Sequence, residues 1–142
     1  MKQEYMTYGG PNSGCLVGTA YQKMVSDLNE ILREKVKELS VPEYMVLRSL
    51  YHRDGLQQCE ICDIIGKDKG AVCRTVKSLI RKELVYAEII SHKCLKVYLT
   101  PKGESLRSEI LKIADERERD LETLLGPKDL KIFLSCLKKI IE

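Results

Sequence analysis

Lys69, Arg74 and Lys77 fall on one side of a helix, with Gly70 and Cys73 beside them and Val72, Val76, Leu79 and Ile80 facing the core. Cations spaced in this way neutralise phosphates, and a guanidinium can also pair bidentately with a guanine edge. Arg74 is therefore the candidate for a base-edge contact, and Lys69 and Lys77 are candidates for phosphates. Gly70 admits close approach of the backbone to a phosphate, and Cys73 lies on the same exposed side. The plain alternative for such a row is a solvated helix face. The charge distribution favours nucleic acid. Lys67 to Lys82 holds six basic residues and one acid, whereas Pro101 to Glu142 holds nine of each and the whole chain is only +3.

The cysteines carry the other available chemistry: Cys15, Cys59, Cys62, Cys73, Cys94 and Cys136. Cys59-x-x-Cys62 supplies two zinc ligands and lacks a second close pair, so packing is the expected role of these residues and no metal or cofactor is expected. Cys15, just ahead of the first helical pattern, is a candidate redox thiol; reactivity there requires access and a lowered pKa. The scattered thiols point to a reducing cytoplasm. His52 and His92 stand far apart. No nucleophile motif and no glycine-rich phosphate loop occurs, so an enzyme is not expected.

These residues need elements to hold them. The 142 residues suffice for one domain with appended helices. No apolar run approaches the ~20 residues of a membrane span, and Met1 to Tyr5 lack the apolar core of a signal peptide. We expect an N-terminal arm over 1–15 and a helix over 16–39, with Val17, Tyr21, Met24, Leu28 and Ile31 as a stripe. Ser40 and Glu43 form a capping box ahead of the next helix, which Asp54-Gly55 ends. A short helix over 57–65 stops at Gly66, and the cationic helix follows. Leu84-Val85 opens a β-ribbon that closes at Thr100, with His92 at its tip and Leu95, Val97 and Leu99 on its buried face. Thr100-Pro101 then starts a helix running through Leu124, whose charged stretch from Asp115 to Asp120 is solvated. After Gly126-Pro127 comes a last helix with Leu130, Phe133, Leu134, Leu137, Ile140 and Ile141 on one face. That face is too apolar for a lone terminal helix, so residues 16–39 and 101–142 are expected to form a dimerisation region around a winged helix-turn-helix over 40–100. The fold class is mainly α with a small β-wing.

The chain resembles the MarR family of winged-helix transcriptional regulators from Leu16 to Glu142. Leu39-Ser40-Val41-Pro42-Glu43, Asp68-Lys69-Gly70-Ala71-Val72, Lys82-Glu83-Leu84-Val85 and Leu99-Thr100-Pro101-Lys102-Gly103 carry the resemblance. It implies a homodimer on a pseudo-palindromic double-stranded DNA operator, repressing by default and released by a small-molecule effector. The wing departs from the family. Ser91 and Lys93 occupy its Asp-x-Arg positions, Tyr86-Ala87-Glu88 replaces a common arginine site, and the wing is about two residues shorter. Lys93 is thus the wing's DNA candidate, although lysine substitutes poorly for arginine in a narrow minor groove. A second reading follows: a thiol-, oxidant- or ligand-sensing dimer that binds DNA weakly. A thiol enzyme using Cys59 and Cys62 is the third.

Overall fold

The computed structural model describes residues 6–7 and 10–142, with side chains from Asn12 onward. The remaining residues of the expected arm lie outside the described residues. Two short strands, β1 (Met6–Thr7) and β2 (Gly10–Pro11), pair antiparallel. Helix α1 spans Ser13–Lys35, starting earlier than expected because the Asn12 side chain accepts from the Cys15 backbone N–H at 3.1 Å. Cys15 therefore lies inside the first turn, not ahead of the helix.

Helix α2 (Val41–His52) begins with the expected capping box: Ser40 Oγ accepts from the Glu43 N–H, and Glu43 Oε1 accepts from the Ser40 N–H. Strand β3 (Leu56–Gln57), α3 (Gln58–Ile65), α4 (Lys69–Arg81), β4 (Val85–Ser91) and β5 (Cys94–Leu99) complete the winged core. The sheet order is β3-β5-β4, all antiparallel. Strand β3 was not expected; two residues carry no periodicity, and Leu56 joins the sheet by pairing with Val97. Gly66 ends α3 at φ +67, in the left-handed region where glycine has no Cβ penalty.

One hydrophobic core joins α1, α2, α3, α4, the sheet and α6. Leu32, Val46, Leu47, Leu50, Ile61 and Leu79 are fully enclosed within it. Among the expected core residues of α4, Val72, Val76 and Leu79 are buried, but Ile80 remains 40% exposed on the helix flank.

The expected single C-terminal helix is two: α5 (Pro101–Ser105) and α6 (Arg107–Leu125), broken at Leu106. Thr100 caps α5 through the Gly103 N–H. Gly103 lies so near the main chain of Leu84 that an added Cβ would come within 2.1 Å of its carbonyl oxygen. The Tyr51 hydroxyl donates to the Gly103 carbonyl at 2.7 Å, and Arg107 stacks over the Tyr51 ring. Burial, helped by the Glu104 charge and opposed by Arg107, pushes the Tyr51 phenol up to about 12, so it stays a donor. The stretch 115–120 is not wholly solvated either. Glu116 pairs with Lys35 at 3.0 Å, and Arg117 donates to the Met24 carbonyl, tying α6 to α1. Helix α7 (Pro127–Ile141) packs on α6.

The α2–α4 junction is polar. Glu43 is 4% exposed and accepts from Lys82 Nζ at 2.8 Å and from the Ser78 hydroxyl at 3.2 Å; Lys82 also donates to the Glu38 carbonyl. Burial raises the Glu43 carboxyl, but the Lys82 and Ser40 hydrogen bonds and the Lys82 charge together leave it below its ordinary 4.5.

Two stability predictions follow from these contacts. Gly103→Ala must displace the Leu84 backbone, so its urea midpoint should fall by the equivalent of about 1–3 kcal/mol or more, as for other overpacked sites. A lowered carboxyl contributes stability above the unfolded value, and that contribution is lost as pH falls through the folded value. Wild-type stability should therefore drop between neutral pH and the acid side of 4.5 more steeply than that of Glu43→Gln, compared by urea titration.

Candidate nucleic-acid interface

Helix α4 carries its two chemistries on opposite ridges. Val72, Val76 and Leu79 lock one ridge into the core, while Gly70, Arg74, Lys77 and Arg81 share the solvent ridge at four- and three-residue steps. Three cations thus project from one line along the helix. Arg81 had not been selected from sequence beyond its charge, although its four-residue step from Lys77 was the signal. Lys82, counted in the same basic stretch, turns inward to Glu43 and leaves this surface.

The helix start is set by Asp68, whose Oδ1 accepts from the Ala71 N–H at 2.8 Å. That bond chiefly holds the Asp68 carboxyl below its usual range; partial burial opposes it and the Arg74 charge assists. An added Cβ on Gly70 would sit 3.2 Å from Asp68 Oδ1 and 3.4 Å from an Arg74 guanidinium nitrogen. Glycine therefore leaves room for Arg74 to lie back over the first turn. Lys69 is exposed on the flank nearer the wing, and Cys73 is half-buried.

Strands β4 and β5 form the wing, closed by the two-residue turn His92-Lys93 between the paired Ser91 and Cys94. Lys93 is exposed at this tip, and its N–H donates to Ser91 Oγ. Tyr86 and Tyr98 stack on the outer face at 5.4 Å. Ile89 and Ile90 are exposed near the tip; neither had been singled out from sequence. Between the wing and α3 opens a cleft of about 800 Å3, lined by Lys69 and Lys93 together with Gln58, Cys59, Cys62 and Cys94.

The other candidate, Cys15, lies exposed on α1 outside this surface. Among the described residues, no group of three or more His, Cys, Asp or Glu is placed to hold a metal ion. No helix among them is long and apolar enough to cross a membrane.

The MarR family model matches residues 38–90, the segment from the α1–α2 turn to the wing. No curated protein matches the chain. Solved structures do. A MarR/EmrR family transcriptional regulator from Acinetobacter sp. ADP1 superposes with a TM-score of 0.81 at 23% identity, covering 90% of this chain and 91% of that one. MepR of S. aureus, solved as a DNA complex, gives 0.79 at 23% identity over 89% and 93%. BpsR of Bordetella bronchiseptica, whose DNA binding is regulated by 6-hydroxynicotinic acid, gives 0.79 at 20% identity over 92% and 98%. At these identities the likeness establishes the winged-helix fold.

Proposed function

Because residues 38–90 are a MarR-family winged-helix segment, we propose that this chain is a sequence-specific DNA-binding transcriptional regulator, a homodimer that represses by default and is released by a small ligand. The observation carrying this reading is the line of Arg74, Lys77 and Arg81 on the free ridge of a helix whose other ridge is locked into the core. A rigidly seated helix with a cationic outer edge suits a major groove. The DNA-bound MepR and ligand-regulated BpsR support the two halves of the reading.

Helices α1 and α7 support the dimer. The C-terminal half of α1 buries Leu28 and Leu32, while Leu16, Val17, Tyr21 and Met24 of the other half stay exposed. On α7, Leu130 is buried, but Phe133, Leu134, Ile140 and Ile141 face solvent, Ile141 at 82%. Apolar surface of this extent marks an interface. Residues 16–39 and 101–142 then form the dimerisation region, and 40–100 the DNA-binding domain. The wing adds little in this reading, since Lys93 is its exposed cation at the tip where an arginine would serve the minor groove better.

The DNA reading is tested by enriching bound duplexes from a random pool, then titrating variants by fluorescence anisotropy across a salt series. Arg74→Ala should cost about 1–3 kcal/mol of specific binding and relax one base per half-site. Lys77→Ala should weaken all sequences alike and lower the salt slope by about one unit. A pool that yields no enriched duplex refutes the reading. The dimer is tested separately by sedimentation. The full chain should run as a dimer at micromolar concentration and the double variant Phe133→Glu, Ile140→Glu as a monomer; a monomeric wild type rules out two half-sites.

A further inference from the structure

The leading end of α4 carries a negative charge within a positive surface. Asp68 is the one acid of the basic stretch 67–82, and it stands exposed between Lys67 and Lys69. Its Oδ1 and an Arg74 guanidinium nitrogen flank the vacant Cβ position of Gly70, at 3.2 and 3.4 Å. The carboxylate therefore sits at the head of the cationic ridge, beside the side chain that meets base edges in the DNA-binding reading. Among the described residues no ion pair joins Asp68 to Arg74, so neither is spent on the other.

Capping α4 does not account for an acid here. The cap needs one acceptor, for the Ala71 N–H, and serine or asparagine supplies it equally well. A carboxylate offers about four lone-pair sites, so most of its accepting capacity is left over. That remainder is repelled by phosphates and is favourable only opposite a donor. In a major groove the donors are exocyclic amines, N4 of cytosine and N6 of adenine. Adenine sets its N7 acceptor beside the amine, which repels a carboxylate; cytosine presents the amine alone.

We propose that Asp68 is a specificity-determining residue that accepts from N4 of a cytosine next to the guanine held by Arg74, so that the two side chains flanking Gly70 read neighbouring base pairs. This inference deepens the DNA-binding reading and rests on it. The first residues of a helix seated in a major groove are those that contact base edges, and Gly70 keeps the ridge low between the two readers. The bond to the Ala71 N–H fixes the Asp68 side chain before DNA arrives, so less freedom is lost on contact. The same bond chiefly holds the carboxyl below its usual range, so it meets the base as an acceptor. A base that offers only acceptors at this place is disfavoured by repulsion, which adds to discrimination.

The test compares duplexes enriched from a random pool by the full chain as wild type, Asp68→Asn and Asp68→Ser. Both replacements keep a good cap, so both should unfold near the wild-type urea midpoint. Arg74→Ala locates the guanine, as the base whose preference it relaxes. Wild type should select cytosine at an adjacent position of each half-site. Thymine there should weaken binding roughly five- to tenfold at fixed salt, the lower part of the cost of one mismatched base pair. Asparagine pairs bidentately with adenine, so Asp68→Asn should move the preference from cytosine to adenine, and Asp68→Ser should abolish it. A purely structural cap gives a different result: all three proteins select the same bases, and the variants bind every duplex more tightly by one common factor, since a negative charge is gone. That result, with Arg74→Ala still relaxing its base, overturns this inference alone. A pool that yields no enriched duplex overturns the DNA-binding reading together with it.

Discussion

The placement of α4 depends on one buried carboxylate. Glu43 closes the first turn of α2 through the Ser40 N–H, and it also binds Lys82 and Ser78 at the far end of α4. A charge enclosed this far is tolerated only when its oxygens are occupied. The requirement restricts how α2 and α4 can cross: sliding either helix by a turn strands the carboxylate. Apolar contacts along Val72, Val76 and Leu79 are less directional, since other hydrophobic packings can fill similar volume. The polar junction therefore fixes the register, and the apolar ridge supplies most of the burial.

With that register set, the outer ridge of α4 points where its backbone dictates. Among the described residues Arg74, Lys77 and Arg81 form no ion pair, which leaves them exposed to solvent. Lys82, the residue of the 67–82 basic stretch that pairs inward with Glu43, sits just past the helix end. There the chain turns through Glu83 at φ +61, and the Leu84 N–H returns to the Leu79 carbonyl. The turn delivers β4 to the sheet and brings Leu84 against Gly103. The same short stretch thus ends α4, starts the wing and seats α5.

Much of this was legible because it is local. The Ser40–Glu43 box, the glycine stop at Gly66 and the Thr100-Pro101 helix start are each written within four residues, and the α4 ridges within a few turns. What escaped was set by tertiary contact. The break at Leu106 comes just after Gly103, which lies against the Leu84 backbone and gives its carbonyl to Tyr51, and Lys82 turns inward to Glu43. Strand β3 exists because β5 offers Leu56 a partner. The early start of α1 is a different case: Asn12 was available as a cap, but the neighbouring Gly-Pro sequence reads as a turn. Of the candidate site residues, Lys69, Gly70, Arg74, Lys77 and Lys93 are exposed, and Cys73 is half-buried. The cleft could not be read in sequence, since α3 and the wing come side by side through the β3–β5 pairing.

Helix α1 links this core to the rest of the molecule. Its inner half is held by Leu28 and Leu32 and by the Lys35–Glu116 and Arg117–Met24 ties to α6. Its outer half continues the same helix beyond the core, with an apolar stripe exposed among the described residues. Helix α6 is anchored at its start by Arg107 on the Tyr51 ring, and it carries α7 out in turn. Both exposed apolar faces are therefore attached to the winged core through α2, the helix whose first turn holds Glu43. A partner seated on those faces is coupled to α4 through these helices and the breaks between them, at 36–40, Leu106 and Gly126. A change in angle that reaches the start of α6 strains the Tyr51–Gly103–Arg107 contact. This is a physical basis for coupling between the distal helices and a bound polyanion.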